Sequence, residues 1–518
     1  MNIKKTTSYI HQSYVKIPFY WTKPALIEAR LIYENTFRIL NTTYKIDSGK
    51  KWHNSKIPKL LLYNIHYFDD LISFNYKSRE KWHYALLDDW IINNTDMSLP
   101  GWDPYPVSRR IVNILKWYLV GNKLKDLHVK SLASQANHLF NNLEYHILGN
   151  HLFANAKALI FSGICISTKD SQIWYEKGLK IVNEQIKEQV LDDGANFELS
   201  PMYHSLFLED ILDIVNIHFA FKINAPANLL SKIPDMLFWL EQMCHPDKNL
   251  SYFNDVANKI APSPIELIKY ANRLGINRKT NFEKKFIDLE QSGYSKVNFK
   301  DYSAIIDRSP IGPDYLPGHG HADTFSFELS LGDKRFIVNN GTYTYERNEK
   351  RHELRSTKSH STVVIDDENS SEVWGSFRVA RRARIINRNN KISKENIILE
   401  ASHDGYKRLT GKPIHARKWE FKKNEIFIYD YFSGKGKHNL KIIFNFFPGL
   451  IIKKISLKKY LLFYEEKKMK IIFHGQGNSV LLNSFYYPEF GVYKKSKKLI
   501  FEDEVFLPHT KITQISID

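Results

Sequence analysis

Apolar residues recur three and four apart between about residue 55 and residue 290, then alternate every second position in short runs from about residue 296. This change of period constrains the fold more than any other feature, because a helical pattern does not settle as a strand, nor the reverse. In the first stretch, residues 82–90, 110–118 and 206–221 each carry an apolar stripe. Short turns such as Pro104-Tyr-Pro106 and Asp192-Asp-Gly194 join them. Repeated antiparallel helix pairs of this kind can close into an α/α toroid, here without a fixed-period repeat. In the second stretch the alternating runs are 325–331, 335–338, 361–365, 397–401, 419–421, 426–431, 440–447, 470–473 and 510–517, separated by turn clusters such as Gly332-Asp333 and residues 366–371. Many short strands in succession predict an antiparallel sandwich. The expected class is α+β multidomain: an N-terminal α/α toroid (an incomplete barrel) over residues 1–295, then a C-terminal antiparallel β-sandwich over 296–518.

Bulk numbers agree with two domains, since 518 residues exceed what one core usually serves. An apolar share of 43% with 14% aromatics argues against disorder. The 29 Tyr and 10 Trp are more than packing demands, and such rings also serve as stacking faces for sugars. The formal charge of +18 would attract polyanions, either nucleic acid or acidic polysaccharide. No zinc-finger spacing, RNA-binding signature or long Lys/Arg run is present, so nucleic acid is not the expected partner. Cys165 and Cys244 alone supply neither a disulfide framework nor a Cys-based metal site. Residues 1–10 start basic but lack the apolar core of a secretory signal. The longest apolar stretch, 156–166, is too short to span a bilayer. A cytoplasmic protein with no integral membrane segment is expected, or a periplasmic or secreted one if the N-terminus is processed; oligomeric state is left open.

Four segments carry the chemistry. In Pro317-Gly-His-Gly-His-Ala-Asp323 the pair His319 and His321, two apart at a strand mouth, would project to one side, as a proton-transfer or metal site requires. Leu148-Gly-Asn-His-Leu-Phe-Ala-Asn-Ala-Lys-Ala158 opens a helix with Asn150 and His151. The turn from Asp192 to His204 delivers Tyr203 and His204 onto the next helix. The fourth segment is Phe336-Ile-Val-Asn-Asn-Gly-Thr-Tyr-Thr-Tyr345, followed by Arg355-Ser-Thr-Lys-Ser-His-Ser-Thr-Val-Val364. Bland roles exist for each: a helix N-cap for Asn150, a core phenol for Tyr203, backbone-bonding imidazoles for the histidines.

With Tyr63-Asn-Ile-His-Tyr-Phe-Asp69, Gly101-Trp-Asp-Pro-Tyr-Pro-Val-Ser-Arg-Arg110, His403-Asp-Gly-Tyr406, His415 and Arg417, these segments resemble the heparinase II/III-like polysaccharide lyases along nearly the whole chain. The resemblance implies a toroid followed by a sandwich, and β-elimination on a glycosaminoglycan or other uronate-containing acidic polysaccharide. It gives Asn150 carboxylate neutralisation, Tyr203 the role of Brønsted acid or of acid and base both, and His319 that of general base or its partner. His151, His204 and Arg110 become substrate-binding candidates. It also implies one structural Zn2+ at His321, Asn339 and His360. This chain departs from the pattern there, because Asn339 stands where an acidic ligand is expected; Asp323 is a nearby substitute. Preorganised neutralisation of an enolate-like intermediate contributes about 10²–10³ per donor, and each proton transfer about 10²–10⁴.

Three rival readings accompany the lyase. A uronyl C5-epimerase of capsule or exopolysaccharide metabolism uses the same carbanion. A hydrolase would rest on Asp192, Asp193 and Glu198. A non-catalytic polysaccharide-binding protein would keep the cleft without the chemistry.

Overall fold

The computed structural model describes residues 13–279 and 284–517. The chain divides into two compact units that interleave along the sequence. One comprises Met1–Val190, Ser205–Leu237 and Ala261–Arg278; the other comprises Leu191–His204, Phe238–Ile260 and Lys279–Asp518.

The first unit is built mainly from helices, among them Glu80–Asn93, Pro104–Leu119, Asp126–Asn141, Gly149–Cys165 and Ser171–Gln189. Pro104-Tyr-Pro106, expected as a turn, instead opens the helix Pro104–Leu119. A proline in the first turn loses no hydrogen bond, and its fixed φ already suits a helix. Helices Gly149–Cys165 and Ser171–Gln189 approach closely because Gly163 and Gly178 leave room. A Cβ on either would lie 2.5 Å from Ser171 O or 2.7 Å from Ala156 O. The interior of this unit also holds charge. Asp213 accepts from Lys116 Nζ at 2.8 Å and Lys157 Nζ at 2.6 Å. Burial pushes its carboxyl up, but the two ammonium groups outweigh that and hold it at about 2. Removing either lysine would leave a buried charge short of a partner, which is strongly destabilising. A three-stranded sheet of Leu31–Tyr33, Thr36–Ile39 and Thr42–Lys45 precedes the helices.

The second unit is antiparallel β. Its largest sheet has eight strands in the order Ile385–Ile392, Ile397–His403, Ile414–Phe421, Glu425–Ser433, His509–Ile517, Lys467–His474, Lys459–Tyr464 and Ile451–Ser456. A four-stranded sheet orders Val363–Ile365, Lys437–Asn445, Val492–Phe506 and Asn478–Glu489; a five-stranded one runs from Lys334–Ile337 through Phe327–Leu331, Tyr302–Asp307 and Tyr294–Asn298 to Phe286–Leu289. Phe327, Leu329, Trp419, Ile428, Phe444, Leu499 and Ile515, drawn from all three, share one buried cluster. Ala195, Leu199, Trp239, Met243 and Phe253 form a second cluster with Ile287, Leu289, Tyr294 and Ile305. The segments 191–204 and 238–260 are thereby part of the β unit's own core. Helices first and antiparallel sheets after, with no closed barrel among the described residues, are the expected α+β class. Strands Phe286–Leu289 and Tyr294–Asn298 begin ahead of the anticipated 295/296 boundary.

Candidate active site

Residues 316–326 form no strand; the five-stranded sheet resumes at Phe327. Phe325 was expected to open that strand, but it has φ 67° and is fully buried, and Ser326 N donates back to Asp323 O at 2.8 Å. His319 and His321 therefore sit on a loop, not at a strand mouth. Both rings nevertheless turn to a single acceptor, Asp255. His319 Nδ1 lies 2.9 Å from Asp255 Oδ2, and His321 Nε2 lies 2.9 Å from Oδ1. Gly320 between them is obligatory, since a Cβ there would lie 2.3 Å from Ile311 O. Its own carbonyl accepts from Arg355 Nε at 3.1 Å and Nη2 at 2.9 Å.

Asp255 is fully buried and also takes the fork of Arg351, whose Nη1 donates to Oδ1 and whose Nη2 donates to Oδ2 at 2.8 Å. Burial pushes the Asp255 carboxyl up, but Arg351 and the two imidazoles outweigh it and hold it well below the usual carboxylate range. An ionised carboxylate only accepts, so each ring donates to it from the nitrogen that faces it. In the neutral ring His319 then carries its lone pair on Nε2, with 17% of the side chain exposed and Glu198 Oε2 at 3.6 Å. This is the logic of a carboxylate-oriented imidazole base.

Tyr203 lies in the first turn of helix Pro201–Ala220. Its backbone NH donates to Ser200 Oγ at 3.3 Å, and Ser200 Oγ donates to Asp255 O at 2.5 Å. The phenol ring stacks on His319 with 3.7 Å between centroids and 24° between planes. Its hydroxyl lies 3.1 Å from Tyr345 Oη. Burial, then Tyr345 and Asp255, push the Tyr203 phenol well above its ordinary range. It is protonated at neutral pH and suited to donate rather than to abstract. Tyr203, His319, Tyr345, Asp255 and Arg351 all belong to the second unit.

Three of these partners escaped the sequence reading. Asp255 and Arg351 stand alone in their segments, 64 residues before and 32 after His319, and nothing local distinguishes them. Tyr345 closes the Thr342-Tyr-Thr-Tyr345 run, which was the available signal.

Other expected site residues are placed differently. His204 is fully buried, its Nδ1 accepting from Asn196 N at 3.1 Å and its ring 4.5 Å from Trp239. It orders the 192–204 turn, and burial shuts it off from substrate. Arg110, in the first unit, is likewise fully buried. It donates to Gln135 Oε1 at 2.8 Å, Gly101 O at 2.9 Å and His66 O at 3.2 Å, and lies 3.8 Å over the Trp90 ring. Its guanidinium is committed to scaffold carbonyls, which corrects the substrate-binding expectation. His151, also in the first unit, is 28% exposed, with Nδ1 3.0 Å from Glu144 Oε1 and its ring 4.4 Å from Tyr105. Asn150 is half-buried in the first turn of helix Gly149–Cys165, whose N-cap position is Leu148 and carries no side-chain cap, so Asn150 is not the N-cap. Asp193, one of the carboxylates of the hydrolase reading, accepts from Ser292 N at 2.7 Å and Ser292 Oγ at 2.8 Å.

The expected zinc ligands give a mixed set. His321 Nδ1 and His360 Nε2 are buried without a hydrogen-bond partner, and the two rings are 5.2 Å apart. Asn339 Oδ1, however, accepts from His360 Nδ1 at 2.9 Å, and Asn339 Nδ2 is a buried donor with no partner. Two imidazole lone pairs beside a neutral amide fall short of the three protein donors that zinc takes beside a water. Among the described residues no group of three or more His, Cys, Asp or Glu, Asp323 included, could hold a metal. The residues do not fit zinc, and no step below passes through a metal. No helix among the described residues is long and apolar enough to cross a membrane. Residues 1–10, on which the expectation about localisation rested, lie outside the described residues.

The geometry can be set beside known proteins. Residues 20–272 match the family model for the heparinase II/III N-terminus, and residues 283–517 match the model described as heparinase II/III-like, C-terminal. A heparin-sulfate lyase of Pedobacter heparinus is 29% identical over 270 residues, 46% of this chain and 39% of that protein. One from Bacteroides thetaiotaomicron is 22% identical over 416 residues, 68% of this chain and 59% of that protein. The chain thus spans about two fifths to three fifths of these curated relatives. A heparinase III crystal structure superposes with a TM-score of 0.74 at 17% identity, covering 91% of this chain and 80% of that one. At that identity the likeness speaks for the fold alone.

Proposed function

From a chain that belongs to the heparinase II/III family, its two domain models together spanning most of the length, we propose a polysaccharide lyase that cleaves a uronate-containing glycosaminoglycan by β-elimination. The observation that carries this reading is the stack of Tyr203 on His319 with Asp255 behind the imidazole. One face of a sugar ring laid against that stack meets a base and an acid together. His319 Nε2 takes the C5 proton while Nδ1–H stays donated to Asp255, which stabilises the imidazolium that forms. The C5 electron pair becomes the C4–C5 double bond, the C4–O bond breaks, and Tyr203 Oη protonates the leaving oxygen. Tyr345 Oη, 3.1 Å away, donates to the phenolate left behind. Asn150 is given the carboxylate-neutralising role by family resemblance, with His151 beside it on the same helix. Each proton transfer contributes about 10²–10⁴ in rate.

The test is incubation with a panel of acidic polysaccharides, heparan sulfate among them, read by the ultraviolet absorbance of the new C4–C5 double bond. A rise in absorbance with chain shortening is the expected result. Inverted C5 stereochemistry without absorbance would make the protein an epimerase. Saturated ends would make it a hydrolase, and retention of polymer with no product would make it a binding protein. Each of these overturns the lyase reading.

A further inference from the structure

On the second unit, the hairpin of strands Asn478–Glu489 and Val492–Phe506 and the turn after strand Lys437–Asn445 enclose a groove of ≈ 400 Å³. That is room for a small ligand, within the usual range of about 300–1,000 Å³. Its lining includes Phe447, Asn483, Phe485, Lys495 and Lys497. The hairpin register pairs Asn483 with Lys497 and Phe485 with Lys495. Positions two apart on a strand share a face, so the two lysines, the amide and the ring stand together. Phe485 is 41% exposed, and Lys497 Nζ donates to Asn483 Oδ1 at 2.6 Å. Among the described residues neither Lys495 nor Lys497 forms an ion pair with a carboxylate. The surrounding sequence is one-sided too, with 11 Lys and 3 Glu and no Asp between residues 451 and 500.

An exposed ring beside two ammonium groups without acidic partners suits one kind of occupant. The C–H face of a pyranose stacks on Phe485, its hydroxyls bond the Asn483 amide, and its carboxylate or sulfate groups meet Lys495 and Lys497. We infer that this groove is an accessory binding site for an anionic saccharide chain, separate from the Tyr203–His319 centre. None of the residues lining it belongs to that centre. The inference rests on the reading of an acidic polysaccharide as the ligand, and it adds a second point of attachment on the same unit. A polymer held at two places dissociates more slowly than one held at one, at no cost to the chemistry.

The experiment compares the full-length protein with its Lys495→Glu/Lys497→Glu double variant and, separately, Phe485→Ala. The probes are long-chain heparan sulfate, a tetrasaccharide prepared from it, and single-stranded DNA. Retention on immobilised heparan sulfate is measured against salt alongside kinetics on both saccharides. The double variant is expected to raise KM for the long chain roughly tenfold, to elute at lower salt with a shallower salt slope, and to leave kcat/KM for the tetrasaccharide unchanged. Phe485→Ala is expected to weaken retention while keeping the slope. Unaltered retention and KM in the double variant would overturn the inference, as would a wild type that does not bind heparan sulfate. So would single-stranded DNA retained as strongly and lost in the same variants. If the wild type binds but cleaves nothing, and the double variant loses that binding, the groove stands and the lyase reading falls. If the wild type cleaves and the variants match it throughout, the groove alone falls.

Discussion

A carboxylate that accepts from two imidazoles and a guanidinium fixes the tautomer of both rings, and at Asp255 it does so for His319 and His321 at once. On the lyase reading proposed above, Asp255 is a positioning residue, and Tyr203 and His319 are the groups set against the substrate. Tyr203→Phe and His319→Ala are expected to lower kcat at least about 10²-fold, with far-ultraviolet circular dichroism unchanged. Activity near that of the wild type in both would reject the assignment. Asn339 gives a second prediction. Its buried Nδ2 has no acceptor, which costs about 1–3 kcal/mol. Asn339→Asp replaces that donor with a carboxylate oxygen on the side chain that bonds His360, whose ring lies 5.2 Å from that of His321. Elemental analysis after dialysis against zinc should show the variant approaching one zinc per chain and the parent well below that. Equal zinc in both would show that the amide is not what unfits the site.

At the scale of elements, Gly320 ties the loop to Ile311 on one side and Arg355 on the other. Gly320→Ala drives a Cβ into a backbone oxygen, and overpacking of this kind costs about 1–3 kcal/mol. Thermal unfolding should show the loss, and kcat should fall with it because both histidines ride on that loop; an unshifted melting temperature would count against the close approach. Elements with one buried face were readable from the sequence. The run 426–431, for example, became Glu425–Ser433, in which every second position is buried and those between are half-buried or exposed. Strands exposed along most of their length were not. Ile385–Ile392 and Ile451–Ser456 bury no residue; they are held by cross-strand pairing, which leaves no period of two in the residues. The site was half legible for a related reason. Tyr203 and His319 announce themselves in dense motifs, whereas Asp255 and Arg351 meet them only through the fold. Several motif residues turn out to be scaffold: His66 bonds Trp52 O and Trp90 Nε1, and His415 and Arg417 share Asp430 in the sandwich interior.

For the whole molecule, buried imidazoles set the acid limit. Burial, then neighbouring cations, hold His66 and His403 well below the ordinary histidine range. Both stay neutral in the fold while the unfolded chain binds a proton near pH 6.5. At these rings the unfolded state then holds more protons as pH falls, so their share of the stability is complete above about 6.5 and is lost progressively below it, opposed by the buried Asp307 and Asp323, whose carboxyls burial pushes up. Melting temperatures should be level between about pH 7 and 8 and decline from about pH 6.5 toward 5; a rise on acidification would contradict this sign. The interleaving of the units supplies the last prediction. Residues 296–518 expressed alone lack Leu199, Trp239 and Phe253 from the second buried cluster, along with strand Phe286–Leu289 and the first two residues of its neighbour Tyr294–Asn298. That fragment should fail to give a cooperative melt, and a sharp transition would show that the cluster is dispensable. The chain therefore resists division by a knife placed where its texture changes. Tyr203 and Asp255 would leave on one piece and His319 on the other, so a gene fusion or fission at that seam loses its chemistry with its fold, and insertions are better sought within the exposed hairpins.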